Sequence, residues 1–295
     1  MPRHRLGACA RMPNKFMRSN DRGGDDQPDR LELSHVYGRW FNTKASTGEI
    51  VKIYLSDQDG RLVVRAFGAA EAGPIDWGST FATPHSSSLG SRFVTGFVAD
   101  YDFGFMQTRL AANIKHGILV IQSYNRFLDD SGRLPYFTRE FFHQCVTHVP
   151  DRLPEGAACR MTGDRLTGEP NPGRVDLSHY VGHWINTNVN TKVITDFEIQ
   201  QRPGGFYFLP RGAGSTVDWG AVRVDPHAAN VSASRGEAFY ASYDFGFMRM
   251  TVAANENQGI LILASYNTFK DDSGRSSYFS REFFYRDPSP FAGGE

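Results

Sequence analysis

The sequence predicts an all-β protein built twice from one unit. Three observations carry that prediction: a repeat at long offset, short apolar runs divided by turn residues, and no stretch that keeps a 3.6-residue period over three turns. The repeat is the strongest of them. Leu33-Ser34-His35 followed by Gly38-Arg39-Trp40 returns as Leu177-Ser178-His179 followed by Gly182-His183-Trp184, an offset of 184 − 40 = 144. Asp76-Trp77-Gly78 returns as Asp218-Trp219-Gly220, where 218 − 76 = 142. Tyr101 to Met106 recurs letter for letter from Tyr243 to Met248, Asp129 to Arg133 recurs as Asp271 to Arg275, and Arg139 to Phe142 as Arg281 to Phe284. A unit of roughly 110 residues is too long for a solenoid repeat and reads as two tandem domains.

Each element follows from local chemistry. Val51 to Leu55 and Leu62 to Phe67 flank Asp57-Gln58-Asp59-Gly60, the signature of two strands on a tight Asp-Gly turn. Ile118 to Phe127 and Tyr136 to Phe142 form a second hairpin around Asp-Asp-Ser-Gly-Arg, whose Asp and Ser bond the backbone and whose Gly supplies positive φ. A meander of about eight strands exposes two edges, and closing into an up-and-down barrel removes them. Two small closed barrels from an internal duplication are expected, with a β-sandwich as the alternative. The predicted division is a disordered extension at 1–30, barrel 1 at 31–147, a linker at 148–174 broken by Pro150, Pro154, Pro170 and Pro172, and barrel 2 at 175–287.

Composition narrows the function. Of 295 residues, Lys and Arg number 32 and Asp and Glu 32, so no long-range field favours nucleic acid or an anionic membrane. No run of about 18 apolar residues exists to span a bilayer, and the N-terminus lacks the apolar region of a secretory signal, so a cytoplasmic location is expected. Cys9, Cys145 and Cys159 read as free thiols, although Cys145 and Cys159 are near enough in sequence to bridge in an oxidising compartment.

Gly38 and Trp40 with Arg139, and Gly182 and Trp184 with Arg281, resemble the lipocalin-like (calycin) signature. The resemblance implies that each Trp closes a barrel floor and that the last-strand Arg packs across it. A tandem pair of such domains is also similar in architecture to lipocalin-like cyclases of fungal secondary metabolism, which catalyse Diels–Alder reactions. The Phe-x-Arg-x-Phe settings of Arg139 and Arg281 independently point to stacking on aromatic rings.

Strand alternation places Asp102 and Asp244 opposite Tyr101, Phe103, Phe105 and their copies. If the aromatic row faces outward, both carboxylates enter the barrels as candidate catalytic groups; if it faces inward, both are solvent-facing. Ser123, Asn125, Ser265 and Asn267 share faces with apolar residues and must bond each other or a ligand, and Asn42 and Asn186 beside the Trp offer the same chemistry. The copies diverge at Arg39/His183, Asp100/Ser242, Arg109/Thr251 and Gln122/Ala264; such divergence usually marks drift on a surface, and it also lets one barrel alone hold a functional pocket. Phosphate-binding loops, dinucleotide fingerprints, nucleophile elbows and clustered Cys or His are absent, which disfavours cofactor and metal chemistry. The expected activity is a cofactor-free cyclase or isomerase acting on a small, mostly apolar secondary-metabolite intermediate in a β-barrel pocket. The alternatives are a non-catalytic carrier of a small apolar organic ligand and a protein-interaction module with filled barrels.

Overall fold

In the computed structural model the described residues are 31–145, 173–214, 219–271 and 273–288. The predicted extension at 1–30 lies outside them, as do most of the predicted linker, Cys9 and Cys159. Cys145 is in no disulfide among the described residues.

The described chain is essentially all-β. Its first run comprises β1 (Gly38–Asn42), β2 (Ile50–Gln58), β3 (Arg61–Gly68), β4 (Ile75–Ser86), β5 (Val94–Asp102), β6 (Met106–Lys115), β7 (Ile118–Phe127) and β8 (Tyr136–Cys145). The second comprises β9 (Gly182–Asn186), β10 (Ile194–Arg202), β11 (Gly205–Gly212), β12 (Val222–Arg223), β13 (Asp225–Ala228), β14 (Gly236–Asp244), β15 (Met248–Asn257), β16 (Ile260–Phe269) and β17 (Tyr278–Arg286). Consecutive strands of the first run pair antiparallel, and β1 pairs with both β2 and β8. In the second run β9 likewise pairs with β10 and β17, while β12 and β13 stand where the first run has the single strand β4. All these strands form one large sheet that partly closes into a ring. No helix among the described residues is long and apolar enough to cross a membrane.

The turns are where the residues predict them. Asp59 and Gly60 take φ of +54° and +77°, with Gln58 opposite Arg61, the left-handed pair that a two-residue hairpin needs. In the Asp-Asp-Ser-Gly-Arg turn, Gly132 has φ of +71° and the Ser131 amide donates to Asp129 at 3.2 Å.

Two apolar cores sit on the inner faces of the runs. Trp40, Phe97, Tyr136 and Phe142 are fully buried in the first, and Phe197, Phe208, Phe239 and Phe284 in the second. Trp40 donates its indole N–H to Val36 O at 2.9 Å, and Trp184 repeats the bond to Tyr180 O at 2.9 Å. Arg139 does not pack across Trp40, contrary to what the lipocalin resemblance implies. Strand alternation puts it on the outer face, over Phe141 at 5.1 Å, and Arg281 lies over Phe283 at 5.4 Å. The inward neighbour is Glu140, which approaches the face of Asn42.

A third cluster joins the runs. Ala111, Tyr124 and Phe137 of the first run meet Ala238, Ala253, Ala264 and Tyr266 of the second. The contacts are reciprocal at the repeat offset: His85 stands edge-on to Tyr266 at 5.3 Å, and His227 edge-on to Tyr124 at 5.1 Å. The Ser86 amide donates to Ser277 O at 2.9 Å, and the Ala228 amide to Pro135 O at 2.9 Å. One pair departs from this symmetry. Tyr266 donates its hydroxyl to Ala112 O at 3.1 Å, whereas the Tyr124 hydroxyl is buried without a partner among the described residues. Gly96 explains the difference, since a Cβ there would sit 2.8 Å from Ala112 O and 3.3 Å from the Tyr266 ring. Its counterpart on the other side is Ala238, because 238 − 96 = 142.

Candidate functional site

The aromatic row of the Tyr101 phrase faces inward. Tyr101 donates its hydroxyl to Val64 O at 2.9 Å, and Tyr243 bonds Phe208 O at 2.8 Å. Trp77 stands edge-on to Tyr101 and Phe103, at 5.4 Å from each, so the repeated Asp-Trp-Gly and Tyr-Asp-Phe-Gly-Phe-Met phrases form a single packing motif. Asp102 and Asp244 are consequently exposed and hold turns. Asp102 accepts from Gln107 Nε2 at 3.0 Å and from Gly104 N at 2.8 Å, bonds that lower its pKa. Asp244 is lowered likewise, first by Lys270, whose Nζ lies 2.6 Å away.

The predicted polar residues are buried, Asn42 only in part, and most of them bond within the strands and their connections. Asn42 donates to Ile50 O at 2.8 Å and to Glu140 at 2.7 Å, and Asn186 bonds Ile194 O and Glu282 in the same way. Glu140 also accepts from Thr47 Oγ1 at 2.5 Å and from Ile50 N at 2.9 Å, so one carboxylate fastens the whole β1–β2 connection. Burial raises its pKa above the ordinary glutamate value despite these donors. Asn125 accepts from Thr108 Oγ1 at 2.8 Å, Asn267 donates to Tyr278 O at 3.2 Å, and Ser265 bonds Ser280 at 2.7 Å. Ser123 differs, because its hydroxyl and that of Thr138 opposite it are buried without a partner among the described residues.

The geometry suited to a ligand lies elsewhere. A cleft of about 1000 Å³ opens where the outer face of β5 to β7 meets residues 173–176, the β10–β11 turn and β12–β13. One wall is aromatic, made by Tyr124, Tyr240 and His227. Arg109 is fixed there by Asp100 at 2.6 and 2.9 Å and lies 4.5 Å above the Tyr240 ring. Burial holds the pKa of His227 at about 4, so the imidazole is a neutral wall element at pH 7.

The rest of the lining mixes apolar side chains such as Leu134, Val175 and Phe206 with acidic and basic groups. Arg126, Arg174 and Arg223 carry neither ion pair nor hydrogen bond among the described residues, and Arg202 is bonded only to Gln200. Among the carboxylates of the lining, Asp100 is held by Arg109, Asp102 by its turn, and Asp176 by Ser178. That leaves Asp225 against three unpaired guanidinium groups. Gly205 takes φ +137°, which favours glycine, and lies against the Arg223 side chain, since a Cβ there would touch Arg223 Nε at 3.4 Å.

The arginines come from both runs, and the counterparts of Arg109, Arg126 and Arg223 at the repeat offset do not repeat the charge. Arg126 corresponds to Thr268 and Arg109 to Thr251, each at an offset of 142. Arg223 corresponds to Phe81 (223 − 81 = 142), and Gly205 to Arg61 (205 − 61 = 144). In the first copy Arg61 covers Phe81, its guanidinium 3.4 Å from the ring centre; in the second, glycine and arginine leave the equivalent place open and charged. The divergence of Arg109 and Asp100 between the copies falls at this cleft, which lies between the halves and not inside one barrel; no motif marks Arg126, Arg174, Arg223 or Tyr240. Among the described residues no three His, Cys, Asp or Glu side chains gather to hold a metal, and the lining offers guanidinium donors and aromatic faces. Comparison with family models, curated proteins and solved structures finds no match to this chain.

Proposed function

We propose that the protein binds a small organic anion with a flat apolar body in the cleft between its two halves. We take the halves to be two lipocalin-like up-and-down barrels that arose by duplication. The double pairing of β1 and of β9 supports the barrels, and the burial of Trp40 and Trp184 in the two Gly-x-Trp phrases supports the lipocalin likeness. The observation that carries the function is the convergence of Arg126, Arg174 and Arg223, unpaired among the described residues, beside the Tyr124, Tyr240 and His227 wall. Planar guanidinium groups suit a carboxylate, and the rings suit an aromatic or polyene body. The carrier reading therefore stands first, with its ligand outside the barrels and anionic instead of purely apolar.

One observation favours a second reading, the cofactor-free cyclase or isomerase holding its substrate inside barrel 1. The Ser123 and Thr138 hydroxyls, without a partner among the described residues, are the groups such a substrate would engage, since their counterparts Ser265 and Ser280 bond each other. Calorimetric titration with 1-naphthoate separates the two. The cleft reading expects saturable binding that Arg126→Gln and Arg223→Gln each weaken about tenfold, near the lower end for a charge-assisted hydrogen bond, while Ser123→Ala leaves it unchanged. Binding lost in Ser123→Ala and retained in both arginine variants would transfer the site to the barrel interior.

A further inference from the structure

His227 differs from its counterpart in what its second ring nitrogen meets. His85 and His227 are equivalent, 227 − 85 = 142, and each stands edge-on to a tyrosine of the other half. His85 Nε2 is satisfied by Thr268 Oγ1 at 3.1 Å. The residue equivalent to Thr268 is Arg126, 268 − 126 = 142, whose guanidinium carries donors and no acceptor. The hydroxyl that answers Nε2 in one half is therefore missing from the other.

The backbone fixes the tautomer of His227. Its Nδ1 lies 3.0 Å from Asp225 O, and a carbonyl oxygen only accepts, so Nδ1 carries the proton. Burial keeps the imidazole neutral at pH 7, with a pKa of about 4, which leaves a lone pair on Nε2. That lone pair has no partner among the described residues, and unlike His85 Nδ1 it is not closed to solvent. The residue is 5% exposed, and its exposed edge lines the cleft. Guanidinium groups supply donors around it, and Asp225, two residues earlier on the same strand face, is the neighbouring acceptor.

A bare acceptor in an aromatic, poorly solvated wall is unfavourable until a donor reaches it. We infer that His227 Nε2 is a specificity contact of the cleft, accepting a hydrogen bond from a hydroxyl on the flat body of the bound anion, so that the ligand is a hydroxylated aromatic or polyene carboxylate. This rests on the cleft reading above and divides its chemistry. A carboxylate at Nε2 would face a lone pair and so belongs to the arginines, while a hydroxyl gains an acceptor only away from them.

The test is calorimetric titration of the full chain with 1-naphthoate, its 4-, 5- and 6-hydroxy derivatives, and their methyl ethers, which keep the oxygen and lose the donor. At least one hydroxynaphthoate is expected to bind about tenfold more tightly than 1-naphthoate, with the gain lost in its methyl ether. The gain, read as the ratio of the two affinities within one protein, should vanish in His227→Phe. It should vanish also in Arg126→Thr, which places beside His227 the hydroxyl that Thr268 offers His85, so the test stands should His227→Phe not fold. Binding of 1-naphthoate with no gain at any hydroxyl position overturns this inference and leaves the cleft reading in place; absence of binding by every naphthoate overturns both. A gain kept in His227→Phe and lost in Asp225→Asn would assign the hydroxyl to that carboxylate and overturn the inference equally.

Discussion

Replacing Glu140 by Ala removes the acceptor that fastens the connection between β1 and β2. Three donors reach that carboxylate: Asn42 Nδ2, Thr47 Oγ1 and Ile50 N. Asn42 keeps its bond to Ile50 O, so two donors are stranded, and the Ile50 amide belongs to a fully buried residue. Each stranded group costs about 1–3 kcal/mol, less where water can reach it, and removing a desolvated carboxylate returns part of that. A net loss of about 3 kcal/mol is expected, which for a chain of this size corresponds to roughly 6–12 °C in Tm. Glu140→Gln, which keeps an acceptor oxygen, should cost about half as much. Glu282→Ala should match Glu140→Ala to within about 1 kcal/mol, because Asn186, Thr191 and Ile194 N repeat the same three donors. Urea unfolding gives the values. A loss under about 0.5 kcal/mol would show that Glu140 does not hold this connection and would reopen Asn42 as a ligand group.

Two further outcomes follow from the seam. His85 and His227 are buried with pKa values near 3 and 4, below the 6.5 of the unfolded chain, so the unfolded state takes up protons first as pH falls. Stability should be full above pH 6.5, decline as pH falls below it by up to about 1.4 kcal/mol per unit per histidine, and level off near pH 4 for His227. Urea midpoints from pH 7 to 5 should show a slope that His227→Gln reduces, and an unchanged slope would refute the buried neutral imidazole. Gly96→Ala should cost about 2–4 kcal/mol through the clash at Ala112 O and the lost Tyr266 bond, whereas Ala238→Gly should cost about 1 kcal/mol; equal losses in thermal melts would contradict the asymmetry drawn at these two positions.

Local features of the fold were legible because short-range chemistry decides them. Asp59-Gly60 and Asp129 to Arg133 announce their turns through residues that tolerate positive φ or bond their own backbone, and the repeat announces the duplication. The candidate site was harder to read. Asn42 has the right chemistry for a ligand, but its partner Glu140 lies 98 residues away, and only the pairing of β1 with β8 brings them together. The phase of Asp102 depended on whether Tyr101 reaches Val64, a contact across 37 residues. The cleft belongs to no single segment, because its walls come from both halves. Its trace in the sequence was divergence between the copies at Arg109 and Asp100, a signal that marks which side has changed without showing that Arg126, Arg174 and Arg223 converge there.

The reciprocity of the seam has a consequence for what the chain can become. A contact in which His85 meets Tyr266 while His227 meets Tyr124 is the geometry of a twofold dimer, where one surface serves as its own partner. In a dimer of identical subunits every substitution is made twice, so a charged cleft on one side dictates another on the opposite side, and a glycine that admits one tyrosine admits both. Joining the halves in one polypeptide lifts that obligation. Arg61 can stack on Phe81 on one side while Gly205 and Arg223 stand at the equivalent place on the other, so a symmetric scaffold carries a one-sided charged cleft.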